Sequence, residues 1–216
     1  MPATPRRLTA LLILAATSSA LASCGDLDQA SAAGATPGDL VASLADQLAG
    51  TPRLTYTATY RLPGGETARA TRTADPARAA YVFTGGRLIR TEAALTRCDP
   101  KTCTTTDPTP TDGLPPTSGM VTPEAVLALM ETAAIDPGVE VTQEDTTRAG
   151  RNATCLTVRG LESFDTCVTV EGALAGFTGS IEGTPVEMVL VDYADEVEEL
   201  DFMPPPSAHL IDKRNK

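Results

Sequence analysis

Apolar residues alternate with threonine and arginine from Leu54 to Leu62. Leu54, Tyr56, Ala58, Tyr60 and Leu62 fall on one side, and Thr55, Thr57, Thr59 and Arg61 on the other. A period of two with one greasy side marks a half-buried antiparallel strand. Pro63-Gly64-Gly65 turns the chain, and Glu66 to Thr73 predicts the returning strand, with Ala68 and Ala70 set against Arg69 and Thr71. Asp75-Pro76 turns it again. Arg78 to Thr84 predicts a third strand with Ala79, Tyr81 and Phe83 on one face. Gly85-Gly86 leads into Leu88 to Thr91, and a further strand ends near Cys98, completing a meander of short strands. The pattern returns after residue 138: Val139 to Thr147, a turn at Ala149-Gly150, then Thr154 to Arg159 and Phe164 to Val170. A last hairpin, Ala173 to Ile181 and Pro185 to Tyr193, turns at Glu182-Gly183-Thr184. Both faces of Val186 to Val191 are largely apolar, which predicts a central strand. Phe202-Met203-Pro204-Pro205-Pro206 cannot be one, because proline has no N–H to donate.

Two stretches have the helical period instead. Thr36-Pro37-Gly38-Asp39 supplies an N-cap, a proline at the first position and an acid in the first turn. Leu40, Val41, Leu44, Ala45 and Leu48 then form a stripe that Gly50 ends. A second helix starts at Thr122-Pro123-Glu124, carries Val126, Leu127, Leu129, Met130 and Ala133, and stops at Ile135-Asp136-Pro137-Gly138. From Asp99 to Gly119 no period survives, and proline, threonine and aspartate predict a loop, an uncommon length inside a compact domain. The sum is an α+β fold of about nine to eleven strands and two main helices.

The first residues follow a different logic. Arg6 and Arg7 are followed by an apolar run, Leu8 to Ala16, too short to span a bilayer stably, and then by small residues up to Leu21-Ala22-Ser23-Cys24. That ending resembles a bacterial lipobox. The resemblance implies cleavage before Cys24, diacylglycerol on its thiol, N-acylation in some bacteria, and a position on the extracytoplasmic face of the cell membrane. The expected organisation is a lipoprotein signal peptide over 1–23, a flexible Ala/Gly/Ser-rich tether over 24–36, one domain over 37–212 and a C-terminal tail over 213–216. Two acyl chains would hold such a protein stably where one would not.

Composition then narrows the chemistry. Removing 1–23 takes away two arginines and no acid, so the net charge falls from −11 to −13. Lysine is confined to Lys101, Lys213 and Lys216, histidine to His209, and there is no tryptophan. An acidic chain without a basic cluster is a poor partner for nucleic acid. One histidine excludes a multi-histidine metal site. His209 lies far from any nucleophile motif, no G-x-S-x-G elbow is present, and the expectation is a non-enzymatic protein with no cofactor. Asp192, Asp195, Glu196, Glu198, Glu199 and Asp201 form a dense acidic run without calcium-loop spacing, read as a solvated loop. With Cys24 set aside, four cysteines allow three pairings. Sequence proximity favours Cys98–Cys103 and Cys155–Cys167. The second pair would staple a hairpin with Leu156, Val158, Val168 and Val170 on one face.

The order of helix, meander, helix and second meander, ending in Phe202-Met203-Pro204-Pro205-Pro206-Ser207-Ala208, resembles the LolA-type lipoprotein-carrier superfamily, especially the actinobacterial LppX/LprG-like lipoproteins. Ala149-Gly150-Arg151, Cys155-Leu156-Thr157-Val158, Gly172 to Phe177 and Val186 to Tyr193 follow a similar progression. The resemblance implies a strongly curved antiparallel sheet, a half-open β-barrel covered by helices. It also implies an apolar space between the layers that holds acyl chains. The residues expected to line such a space are Tyr56, Tyr60, Tyr81, Phe83, Leu127, Met130, Phe177, Met188 and Leu190. The function expected is binding or carriage of a hydrophobic ligand such as a lipid. The alternative is an interaction or envelope-sensing module with a filled core and an envelope protein as partner. Cavity against filled core separates the two.

Overall fold

A computed structural model describes residues 34–109 and 113–214. The signal peptide over 1–23, Cys24 and all of the tether before Gly34 lie outside the described residues. The described residues from Ala35 to Arg214 belong to one compact unit.

Helix α1 spans Pro37–Leu48. Thr36 caps it by accepting from the Asp39 N–H at 3.2 Å, and the Asp39 carboxylate accepts from the Thr36 N–H at 2.9 Å. Helix α2 spans Pro123–Ala134, with the Thr122 hydroxyl accepting from the Ala125 N–H at 3.2 Å. The two helices pack on each other, and Val41, Leu44, Leu48, Val126 and Met130 are buried beneath them.

Twelve strands form one sheet: β1 Tyr56–Arg61, β2 Thr67–Thr73, β3 Arg78–Phe83, β4 Gly86–Thr91, β5 Leu95–Cys98, β6 Thr102–Thr106, β7 Glu140–Arg148, β8 Arg151–Arg159, β9 Phe164–Thr169, β10 Leu174–Ile181, β11 Thr184–Ala194 and β12 His209–Asp212. Their order is β12-β6-β5-β4-β3-β2-β1-β11-β10-β9-β8-β7. Neighbours are antiparallel except β12 on β6. The sheet is large and curved and does not close into a barrel; β12 and β7 are its two edges. The two meanders join where β1 pairs with β11, which makes β11 internal as its apolar stretch predicts. Its outer face is less covered than predicted, since Val191 is exposed. The tight turns follow their residues: Ala149-Gly150 and Glu182-Gly183 all take positive φ, the conformation whose twist matches a two-residue hairpin.

Period-two alternation places the core. Tyr56, Ala58, Tyr60, Ala68, Ala70, Tyr81, Leu156, Val158, Val168, Phe177, Met188 and Leu190 join the helical stripe in one continuous cluster. Cys155 stands opposite Cys167 on neighbouring strands, and the disulfide is formed, with Leu156 and Val158 on the other face of β8. Val170, expected beside them, follows the end of β9 and is exposed. Gly176 faces Cys167 across the next ladder. Cys98–Cys103 closes the β5–β6 turn. Replacing Cys155 and Cys167 together with Ser is expected to lower stability by about 3 kcal/mol, the loop-closure value for a ring of this size. Urea unfolding of the double variant against the parent checks this, and an unchanged midpoint would contradict it.

Three expectations need correction. The sheet has twelve strands rather than nine to eleven, because His209–Asp212 adds a parallel edge strand. The stretch 99–119 is not wholly irregular: β6 occupies its beginning, and β12 adds a parallel strand beyond it. Thr102–Thr106 lacks apolar alternation, so its strand state comes from its partners. The acidic run is not simply solvated. Arg151 bonds the Asp195 carboxylate, Arg78 holds Glu199 through two bonds of 2.5 and 3.0 Å, and Asp201 is buried between Arg69 and the Thr71 hydroxyl, the latter at 2.7 Å. Arg87 donates to the Leu200 and Met203 carbonyls, and Arg78 lies over the Phe202 ring. Phe202 and Val197 pack with Ala80 and Ile89 in a second small cluster behind β3 and β4. Residues 195–203 are thus a strap across the outer face of the first meander. The preference for arginine over lysine fits this use, because a guanidinium fork can hold a carboxylate or two carbonyls at once.

Candidate functional site

The nine residues expected to line an apolar space are brought together, but as a packed core. Tyr56, Tyr60, Tyr81, Met130, Phe177, Met188 and Leu190 are all buried, and Phe83 and Leu127 are partly buried against the same cluster. Tyr56 stacks on Tyr193 with ring centroids 5.4 Å apart, and Phe177 stacks on Phe164 at 6.1 Å. The Tyr60 hydroxyl donates to the Leu174 carbonyl at 2.8 Å, which accounts for a phenol in this position. Alternation carried no information about how far apart sheet and helices stand.

Several hollows among the described residues open at the surface. Two of them meet at the start of α2. One, of about 220 Å³, lies between Pro52, Arg72, Ala77, Ala79, Arg90 and Glu124. The other, of about 400 Å³, runs along α2 past Leu114, Met120, Val121, Ala125, Ala128 and Ile181, and shares Arg90 and Glu124 with the first. Together they make a groove of mixed character, apolar at Pro52, Ala79, Val121 and Ala125 and charged at Arg72, Arg90, Glu124 and Glu182. Phe83 borders a further hollow beside Gly86 and Cys98.

The charged point has a definite origin. Glu124 stands in the first turn of α2, where a carboxylate is favoured by the helix dipole, and bonds Arg72 of β2 at 2.5 Å. Tyr56 and Tyr81 lie beneath that pair. Burial pushes Tyr81 up to about 12, with the Glu124 carboxylate adding to the rise and Arg72 partly offsetting it. Burial pushes Tyr56 still further above the ordinary phenol value. Burial also acts to raise Glu124, but Arg72, the Glu124 N–H and the Thr122 hydroxyl outweigh it, and the carboxyl sits below its ordinary 4.5. Burial opposes the charge on Arg72, and the nearby Tyr81 and Glu124 more than compensate. At neutral pH the point is therefore a fixed Arg⁺–carboxylate pair over neutral phenols. No group of three or more potential metal ligands occurs among the described residues. His209 is exposed on β12. The Arg72–Glu124 pair was missed from sequence because its members lie 52 residues apart. The one available signal was an acid just after Thr122-Pro123.

No family model matches the chain, and no curated protein matches it in sequence. Solved structures do share its shape. The fold is similar to that of an uncharacterized conserved protein from Thermus thermophilus, with a TM-score of 0.50 at 11% identity, over 81% of this chain and 99% of that one. MucB follows with a TM-score of 0.48 at 13% identity, over 79% of this chain. MucB bound to MucA(peri) gives 0.45 at 12% identity. The chain spans 65% of the length of free MucB. At these identities the likeness concerns fold alone.

Proposed function

We propose that this chain is an envelope lipoprotein, anchored through Cys24 at the extracytoplasmic face of the cell membrane. Its domain is a non-enzymatic binding or interaction module with a filled core. The observation that carries the filled core is the burial of Tyr56, Tyr60, Met130, Phe177, Met188 and Leu190, each at 2% exposure or less, in the space where a carrier of this design would keep its ligand. The surface offered for binding is then the groove beside α2, where apolar residues alternate with charged ones and the Arg72–Glu124 pair joins the two hollows. The anchoring rests on the order Arg6-Arg7, apolar run, Leu21-Ala22-Ser23-Cys24. The two disulfides suit a compartment that oxidises thiols.

A second reading, carriage of a lipid, is favoured by the buried Met120 and Val121, which line the same groove beside α2 and Ile181. It requires α2 to move away from the sheet.

Anchoring is tested in cells. The mature chain is expected in the membrane fraction with a mass increment of a diacylglyceryl group on Cys24, and Cys24→Ala in the soluble extracytoplasmic fraction. A wild-type chain that is cleaved, unmodified and soluble would overturn the anchor.

A further inference from the structure

Ile135 and Leu161 are the most exposed large apolar residues described, at 83% and 85%. They belong to different parts of the chain, the residue that ends α2 and the turn between β8 and β9, and they are held together. The Asp136 carboxylate accepts from the Leu161 N–H at 3.0 Å and from the Gly138 N–H at 2.9 Å. Gly160 makes this approach possible, since a Cβ there would lie 2.5 Å from the same carboxylate. Two backbone bonds lower the Asp136 carboxyl below its ordinary value, so the clasp is charged and closed at neutral pH. The clasp keeps two large apolar residues exposed at one place, a small patch that an apolar partner could cover.

The path of the chain says what that is. α1 begins against the end of α2: a Cβ on Gly38 would stand 2.6 Å from the Ala134 carbonyl oxygen, one residue before Ile135. The chain leading from Cys24 therefore reaches the domain at the end that carries Ile135 and Leu161. Only ten residues separate Cys24 from Ala35, a reach of at most about 35 Å when fully extended. The other end of α1, where the Gln47 side chain bonds the Thr169 carbonyl, is far from that attachment. We infer that the Ile135–Leu161 tip is a membrane contact, which dips into the headgroup boundary beside the lipid anchor and sets the domain's orientation on the bilayer. This rests on the lipid-anchored reading of Cys24. Two side chains on an acidic domain are too little to bind a bilayer from solution. Attachment by a short tether makes the contact intramolecular and raises the effective concentration into the millimolar range.

The absence of tryptophan from the chain gives a clean probe. Chains beginning at Cys24 and carrying Leu161→Trp or Val170→Trp are coupled through the Cys24 thiol to a maleimide lipid in phosphatidylcholine vesicles, with the other four cysteines protected as disulfides. Val170 is also exposed, but follows β9 beside the Thr169 end of α1. On vesicles brominated along the acyl chains, Leu161→Trp emission is expected to fall about two-fold and shift to the blue, as for a residue at the headgroup boundary. Val170→Trp is expected to stay unquenched, and an Ile135→Ser change in the Leu161→Trp chain to weaken the quenching. Equal emission on brominated and plain vesicles, or equal quenching at both positions, would overturn the tip contact while leaving the anchor intact. An unmodified Cys24 in cells would remove the anchor and, with it, the role of the tip.

Discussion

Phe177→Ala is expected to cost about 4 kcal/mol of folding free energy, in the range for an aromatic ring removed from a tight core. Phe177 is 2% exposed, stacks on Phe164, and lies between Met188 of β11 and Thr166 of β9. A ring that lined an open space would already lack neighbours on one side, so its removal would lose less contact and leave no new cavity. The expected value is therefore specific to the filled interior. Urea unfolding of the variant, at the parent's m-value, reads it directly. A loss of about 1 kcal/mol or less would mean that the site is not packed as described.

The second large effect is expected at Asp201. Asp201→Ala removes the buried carboxylate that receives both Arg69 and the Thr71 hydroxyl and fixes the strap over 195–203. Hydrogen bonds to a charged group contribute about 1.5–3 kcal/mol, and a loss of about 2 kcal/mol is expected. The larger cost of stranding a buried charge does not apply, because Arg69 is 40% exposed and regains water. The loss is expected to be local as well as global. A protease specific for glutamate should cut the variant at Glu196, Glu198 or Glu199 much faster than the parent, because the Arg78 and Phe202 contacts hold less well without their neighbour. Unchanged cleavage together with unchanged stability would show that the strap does not depend on Asp201.

Residues whose partners are near in sequence were legible. The alternation from Leu54 to Leu62 gave β1 and its buried face, and Thr36-Pro37 and Thr122-Pro123 gave both helix starts. The interval from Cys155 to Cys167 gave a hairpin register that the ladder matches residue for residue. What escaped depends on distant partners. Thr102–Thr106 and His209–Asp212 have no apolar period and become strands by pairing with each other and with β5. The acids of 195–201 looked solvated because Arg69, Arg78 and Arg151 lie 44 to 132 residues away. The groove beside α2 was hidden for the same reason, its charged pair joining β2 to a helix from the middle of the chain. The question of a chamber was beyond the sequence on physical grounds. An inward-facing tyrosine or methionine reads the same whether it meets the opposite layer or faces a void. The curvature of the sheet and the seating of α2 decide between these.

Whether the interior is filled is also open to the most direct measurement. A soluble Cys24→Ala domain, exposed to lipids extracted from its host's envelope and then examined by native mass spectrometry, is expected to fly as the bare polypeptide mass. A lipid-carrying protein run alongside should keep its adduct. A stable one-to-one lipid adduct on this domain would contradict the filled core and establish carriage in its place.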